Sequence, residues 1–249
     1  MSLTLINVDL SQAELRTMAV LSGDTWMINA LQAGQGDFFD NHLMPIAYPW
    51  IKLDYGTVEE FKRQCPVIHK ESRVKVKSVQ YGLAFGREAP AIAKELKMST
   101  RDAQYIITNY LTTAHSFAQW RQDVMEAAVT PSKRDLLINP FGRKFQSEII
   151  TSKNKNNVKR EALAFLPQST SSDICLATAI RINKDLQAYG FHIFNIVHDA
   201  IMVEGPEEYA VEVGNYIVQE LGYTGKQVMG DTVPFLAEFS IGNSWADLD

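Results

Sequence analysis

Asp9 closes a short apolar run, Leu3–Asp9, and Asp199 stands between two more, His192–Val197 and Ile201–Glu204. Carboxylates at strand ends can be held rigidly and close together. Two of them, with a backbone carbonyl, suit paired magnesium ions, hard cations that take oxygen ligands. Aspartate at a strand end also serves as a turn former or helix cap, and the spacing alone leaves both uses open. A second group is more specific. Arg73, Lys77 and Tyr81 recur every four residues. At 3.6 residues per turn such a series drifts only about 40° per step, so it forms one stripe on a helix. Arginine binds phosphate bidentately and lysine acts as a point charge, so two cations at this spacing suit a triphosphate. The ring of Tyr81, followed by Gly82, offers a flat surface for a base. A solvated basic face on an amphipathic helix carries the same pattern.

These residues need elements to hold them. Leu3–Asp9 reads as a buried strand, and Ser11 and Glu14 have the capping-box spacing that opens a helix through Leu21. Residues 37–70 read as short helices punctuated by Pro45, Pro49 and Pro66. From Ser72 to about Val129 the pattern is mostly helical, with breaks near Gly86–Pro90 and Met98–Thr100. Ser99 is spaced from Asp102 to cap the helix that follows. Residues 133–160, with Asn139-Pro140 and Gly142, read as loop or hairpin, and a long helix is expected over Ser171–Ala188. The runs His192–Val197 and Ile201–Glu204 form a hairpin with His198-Asp199-Ala200 at its tip. Pro206-Glu207-Glu208 opens a C-terminal helix, acidic in its first turn.

A chain of 249 residues is long enough for one large domain or two small ones with a real core. With 46% hydrophobic and 21% charged residues, it is not a disordered sequence. Cys65 and Cys175 cannot build a disulfide framework or a cysteine-rich zinc site, and they fit a reducing compartment. No apolar run approaches the roughly 18 residues of a membrane span, and Asp9 and Glu14 interrupt any leader-like start. No membrane partner and a cytoplasmic location are the resulting expectations. The net charge of −5 excludes a uniformly basic nucleic-acid coat. Two segments run against it. Residues 70–101 hold eight basic and three acidic side chains, and residues 133–160 hold eight and two. That polarity suits one anion-binding face, or lysines solvated on exposed helices.

At this point the residues carry a resemblance. Asp9-Leu-Ser-Gln-Ala-Glu-Leu-Arg16 resembles motif A of family A DNA polymerases, the bacterial DNA polymerase I type. Arg73 through Lys77 and Tyr81-Gly82 to Phe85-Gly86 resembles motif B on the fingers helix, and Val197-His198-Asp199 resembles motif C. Gly142-Arg143-Lys144 and the stretch from Arg160 through Gln168 to Asp173 are similar to segments that grip primer and template. The ending, Val233 to Glu238 and Asn243-Ser244-Trp245, is similar to the last palm strand and tail. The resemblance runs in order over nearly the whole chain. It implies an α+β fold: an antiparallel palm sheet bearing the catalytic aspartates, with a mainly helical fingers sub-domain. Palm would comprise residues 1–30 and 131–249, and fingers residues 31–130. The thumb and the 3′–5′ exonuclease are expected to be absent, because motif A begins eight residues after Met1. A divided enzyme follows as an expectation, with a second polypeptide supplying thumb and exonuclease. A phage or mobile-element origin fits the small size.

The resemblance also implies roles. Asp9 and Asp199 would hold two Mg2+ ions, with the Leu10 carbonyl as an extra ligand. Arg73 and Lys77 would hold the triphosphate of a dNTP, and Tyr81 would stack near its sugar and base. Gln12 and Glu14 would border the sugar, with Glu14 excluding a 2′-hydroxyl. Arg143, Lys144, Arg160 and Gln168 would contact primer–template DNA through its backbone and minor groove, with His198 near the primer end. Tyr81 in place of Phe implies acceptance of dideoxynucleotides. The sequence departs from the pattern at several places. Ala200 stands where the family's third motif C carboxylate would be, Phe85 replaces a tyrosine, Phe39 a histidine and Ala164 a polar residue. His42, three residues after Phe39, is a candidate substitute. The expected activity is template-directed DNA synthesis. The alternatives are a weak or inactive nucleic-acid-binding subunit that keeps the fold, and a single-subunit RNA polymerase relative, against which Glu14 argues.

Overall fold

The computed structural model describes residues 3–32 and 36–248. Met1, Ser2, residues 33–35 and Asp249, which the expected palm and fingers segments include, lie outside the described residues. The chain forms two compact units, one of Met1–Val20, Ile138–Lys144 and Leu166–Asp249, the other of Leu21–Leu137 and Phe145–Phe165. The fold is α+β. No described helix is long and apolar enough to cross a membrane.

The first unit is built on a four-stranded antiparallel sheet. Its strands are β1 (Leu3–Leu10), β2 (His192–Val197), β3 (Ala200–Pro206) and β4 (Ala237–Gly242), in the order β2-β3-β1-β4. In β1, Thr4, Ile6, Val8 and Leu10 are buried while the alternate residues are more open, the two-residue period of a strand with one covered face. Helix α12 (Ala210–Met229) packs on β1 and β4. Gly214 and Gly225 let it approach, since a Cβ there would lie 2.6 Å from the Phe239 ring and 2.5 Å from Phe235 Cβ. Val213, Ile217 and Leu221 of α12 and Ile201 and Val203 of β3 are buried. Truncating one such isoleucine to alanine would cost about 2–5 kcal/mol.

Register fixes which side chains share a face. Asp9 pairs with Ala200 on one side and with Glu238 on the other, and Asn7 likewise pairs with Met202 and Ser240. Directly opposed residues point to the same face, so Ala200, Asp9 and Glu238 form one row across three strands.

The second unit is helical. It holds the end of α1 (Ala13–Ser22), then α2 (Thr25–Ala30), a π-helical turn (Phe39–Leu43), and the short helices α3 (Met44–Ala47), α4 (Trp50–Tyr55) and α5 (Val58–Gln64). The longer α6 (Pro66–Ala84), α7 (Ala89–Glu95), α8 (Thr100–Thr113), α9 (His115–Val129) and α10 (Pro131–Arg134) follow, with the first part of α11 (Lys155–Ala188). Asp24 joins two helices. Its Oδ1 accepts the Met27 N–H of α2, and its Oδ2 accepts the Ser116 and Phe117 N–H groups at the start of α9. Unsatisfied N–H groups at helix starts make such a buried carboxylate stabilising. Tyr110 is fully buried beside Trp26 and Phe117.

Several elements depart from the sequence reading. Helix α1 begins at Ala13 with Gln12 in the left-handed region (φ 57°), so Ser11 and Glu14 do not stand in the capping-box relation. Helix α6 starts at Pro66 rather than Ser72, because proline is tolerated in a first turn, where its missing N–H has no partner to lose. Helix α11 starts at Lys155, so residues 155–160 are helix and not loop, and Pro167 lies inside it. Around that proline, Thr170 and Ser171 hydroxyls bond back to the carbonyls of Leu166 and Pro167. Between Pro206 and α12 runs a 3-10 turn, Glu207–Tyr209, so the last helix begins later than expected.

Candidate active site

In the sheet unit the candidate residues sit at neighbouring strand ends. The two-residue turn His198-Asp199 joins β2 to β3, and His198 takes φ 55° at its first position, a region that glycine prefers. The Asp199 carbonyl accepts the Leu10 N–H at 3.1 Å, which ties the turn to the end of β1. Asp9 is thus the last residue but one of β1, while Asp199 immediately precedes β3. Partial burial, the Asp199 charge and the Glu238 charge raise the Asp9 carboxyl from 3.8 to about 6. Burial also raises Asp199. Burial is the largest cause of both shifts, and neighbouring acids add to it at Asp9 while the His198 charge opposes it at Asp199. The buried Cys175 thiol is pushed up by the same burial and by the charges of Asp199 and Asp9, which leaves it inert.

Beside the pair, Glu14 is raised by burial and hydrogen-bonded to Gln168. His198 is exposed and Gln12 half-buried. Arg143 is exposed and pairs within its own unit. Its Nε and Nη2 bond the two oxygens of Asp173 at 3.0 and 2.5 Å, and Asn139 Nδ2 adds a bond at 2.7 Å. Lys144 is exposed and bridges to Ile138 through the backbone. The donor set of Asp9, Asp199 and the Leu10 carbonyl is all oxygen, as a hard divalent cation requires. No three of the described His, Cys, Asp and Glu residues converge closely enough to hold a metal by themselves, so such an ion would draw its remaining ligands from water or substrate.

In the helical unit the stripe lies on α6, whose buried positions His69, Ser72, Val76, Val79, Gln80 and Leu83 follow helical spacing. Lys77 Nζ lies 6.0 Å from the ring centres of both Phe39 and Tyr81, and Arg73 lies over Phe39 at 5.6 Å. Tyr81 and Phe85 are stacked, with centroids 6.4 Å apart. Phe39, in place of the resembled family's histidine, is thus a buried aromatic base under two cations. His42 lies beside Phe38. Arg160 bonds Asn157 and lines a cavity of about 410 Å³ with Arg87 and Lys159.

Five partners escaped the sequence reading. Asp37 and Asp40 both pair with Arg73, and buried His69 lies 3.2 Å from Asp40. Nothing in the spacing of residues 37–73 signals those pairings. Glu238 lies in the Asp9 row, and strand alternation over 237–242 was the available signal. The Asp173 pairing of Arg143 spans 30 residues and had none.

Fold and site together define an α+β protein with carboxylates gathered at the strand ends of an antiparallel sheet. Residues 1–247 match the model described as DNA polymerase family A, and the chain belongs to that family. It is 27% identical over 231 residues to DNA polymerase I A, chloroplastic/mitochondrial, of Arabidopsis thaliana, covering 86% of this chain and 21% of that protein. To the thermostable DNA polymerase I of Thermus aquaticus it is 25% identical over 244 residues, covering 97% and 27%. The POL domain of Pol1 from M. smegmatis, in complex with DNA primer-template and dNTP, matches with a TM-score of 0.79 and 25% identity, over 98% of this chain and 40% of that one. The chain thus spans roughly a quarter of the length of these curated relatives.

Proposed function

We propose that the chain is the nucleotidyl-transfer core of a DNA polymerase, adding deoxynucleotides to a primer 3′-hydroxyl as a template directs. The observation that carries this reading is the Asp9–Asp199 pair at adjoining strand ends, with Asp9 pushed up to about 6 by burial and its neighbours. Such a pair is poised for a cation, and Asp9, Asp199 and the Leu10 carbonyl would hold magnesium. Magnesium bound there would activate the 3′-hydroxyl and neutralise the departing pyrophosphate.

The sheet unit would serve as palm and the helical unit as fingers. Arg73 and Lys77 would bind the triphosphate, and Tyr81 would present its face to sugar and base. Gln12 and Glu14 would border the sugar. Arg143, Lys144, Arg160, Gln168 and His198 would meet the duplex. The ligands named for the M. smegmatis domain, primer-template DNA and dNTP, are the ones carried over. A second polypeptide that completes the grip on DNA, and a cytoplasmic setting, belong to the same proposal. A weak nucleic-acid-binding subunit is the second reading, favoured by Ala200 beside Asp9 where a third carboxylate would otherwise stand. Extension of a primed template, with and without magnesium and with deoxy- or ribonucleotides, separates the two. Magnesium-dependent extension with deoxynucleotides, lost in Asp199→Asn, supports the polymerase. DNA binding with no extension, with a candidate partner present, supports the second reading.

A further inference from the structure

We propose that Asp37 and Asp40, with Phe39 between them and His69 behind, are positioning residues that aim Arg73 at the triphosphate. The inference rests on the triphosphate reading of Arg73 and Lys77 and adds how the cation is held. Arg73 Nη2 donates to Asp37 Oδ2 at 2.8 Å, and Nε lies 3.2 Å from Asp40 Oδ1. Those contacts occupy one edge of the guanidinium, and Phe39 covers a face. Nη1 has no hydrogen-bond partner among the described residues, so the other edge is left to an incoming anion.

Asp37 is held by a hydrogen bond, and the buried Asp40 Oδ1 by ion-pair contacts alone. Asp37 Oδ1 accepts the Asp40 N–H at 2.9 Å at the start of the π-helical turn. The Asp40 side chain is 10% exposed and is backed by His69, whose own side chain is 6% exposed. Lys62 stands outside at 4.0 Å. Lys77 shares the Phe39 ring and has no ion pair among the described residues. Arginine has a rigid fork of donors on a long flexible stem. Holding one edge orders the stem before the ligand arrives, which lowers the entropic cost of binding.

Simple electrostatics predicts the opposite. Two acids beside a cation should weaken anion binding, and neutralising them should strengthen it. That opposition makes the test decisive. Inorganic tripolyphosphate binding to the whole chain, with metal chelated, is measured by calorimetry for wild type, Asp37→Asn, Asp40→Asn and the double variant. Positioning requires weaker binding in the variants, by about tenfold for the pair, although each adds positive charge. In primer extension KM for dNTP should rise while kcat is kept. Unchanged or tighter binding overturns the proposal. Asp37→Asn keeps a side-chain oxygen for the Asp40 N–H and carries the test if the double variant does not fold. Arg73→Ala and Lys77→Ala are run alongside. If they weaken tripolyphosphate binding and the aspartate variants do not, positioning alone falls. If none of the five changes it, the triphosphate reading falls as well.

Discussion

Like charges are handled in opposite ways in the two units. In the sheet unit Asp9 has Asp199 and Glu238 close enough to raise it, and burial raises both aspartates, with no cation in the row. In the helical unit Arg73 and Lys77 share one aromatic base, and Arg73 already holds two carboxylates. The first arrangement is under strain until something positive arrives. The second is largely settled before any ligand binds. Under the proposed function, the sheet site would take a metal ion and the helix site a flexible phosphate chain.

The strongest way to break this comparison is at the sheet. Asp199→Asn should cut primer extension on the order of 10³-fold, since holding a catalytic cation is worth several kcal/mol of transition-state stabilisation. Its fold should be intact by circular dichroism. Extension that persists would mean the Asp9–Asp199 pair is not the reacting part. At the helix, Lys77→Ala removes the cation that no carboxylate has claimed among the described residues. KM for dNTP should rise about 10–100-fold, the range of a charge-assisted hydrogen bond, with a smaller change in kcat. A variant that lowers kcat alone would place Lys77 in the chemical step instead.

Arg143 sharpens the comparison because it breaks the rule within its own unit. It is proposed to meet the duplex, and in the fold it also forks onto Asp173, which Asn139 holds too. Arg143→Ala should leave that carboxylate underpaired and lower Tm by about 3–6 °C. Asp173 sits below its ordinary range because Arg143 and Asn139 favour its charged form, although burial opposes this. The stabilisation is therefore present above the unfolded value of 3.8 and is lost as pH falls below it. The Tm gap between wild type and variant should close in acid. A salt-dependence slope for DNA binding that is unchanged in the variant would leave Arg143 a purely internal role.

What could be read from the sequence was local. The runs flanking His198-Asp199 and the run closing at Asp9 are short and apolar, so the two aspartates could be placed near strand ends. The four-residue repeat of Arg73, Lys77 and Tyr81 placed them on one helix face. Proline misled at Pro66, which begins α6 rather than separating short helices. Contacts made by the fold itself stayed hidden. Glu238 meets Asp9 only because β4 pairs with β1 in that register. Asp37 and Asp40 meet Arg73 because a π-helical turn packs against α6. No periodicity records either meeting.

The smallest expected effect tests the strain itself. Asp9 binds its proton more tightly in the fold, near 6, than in the unfolded chain, near 3.8. Stability must then fall as pH rises between those values, and the full penalty remains above about 6. Asparagine carries no charge at any of these pH values. Asp9→Asn should therefore raise Tm at pH 7.5, by about 1–3 °C, a small gain because water still reaches Asp9 and screens it. Below pH 3.8 wild type and variant should melt together. Magnesium should raise the wild-type Tm at pH 7.5 and raise the variant less, because the variant has lost one of two charged ligands. A variant that melts lower than wild type at pH 7.5 would mean that Asp9 is stabilised by its neighbours, and the contrast between a strained sheet and a settled helix would not hold.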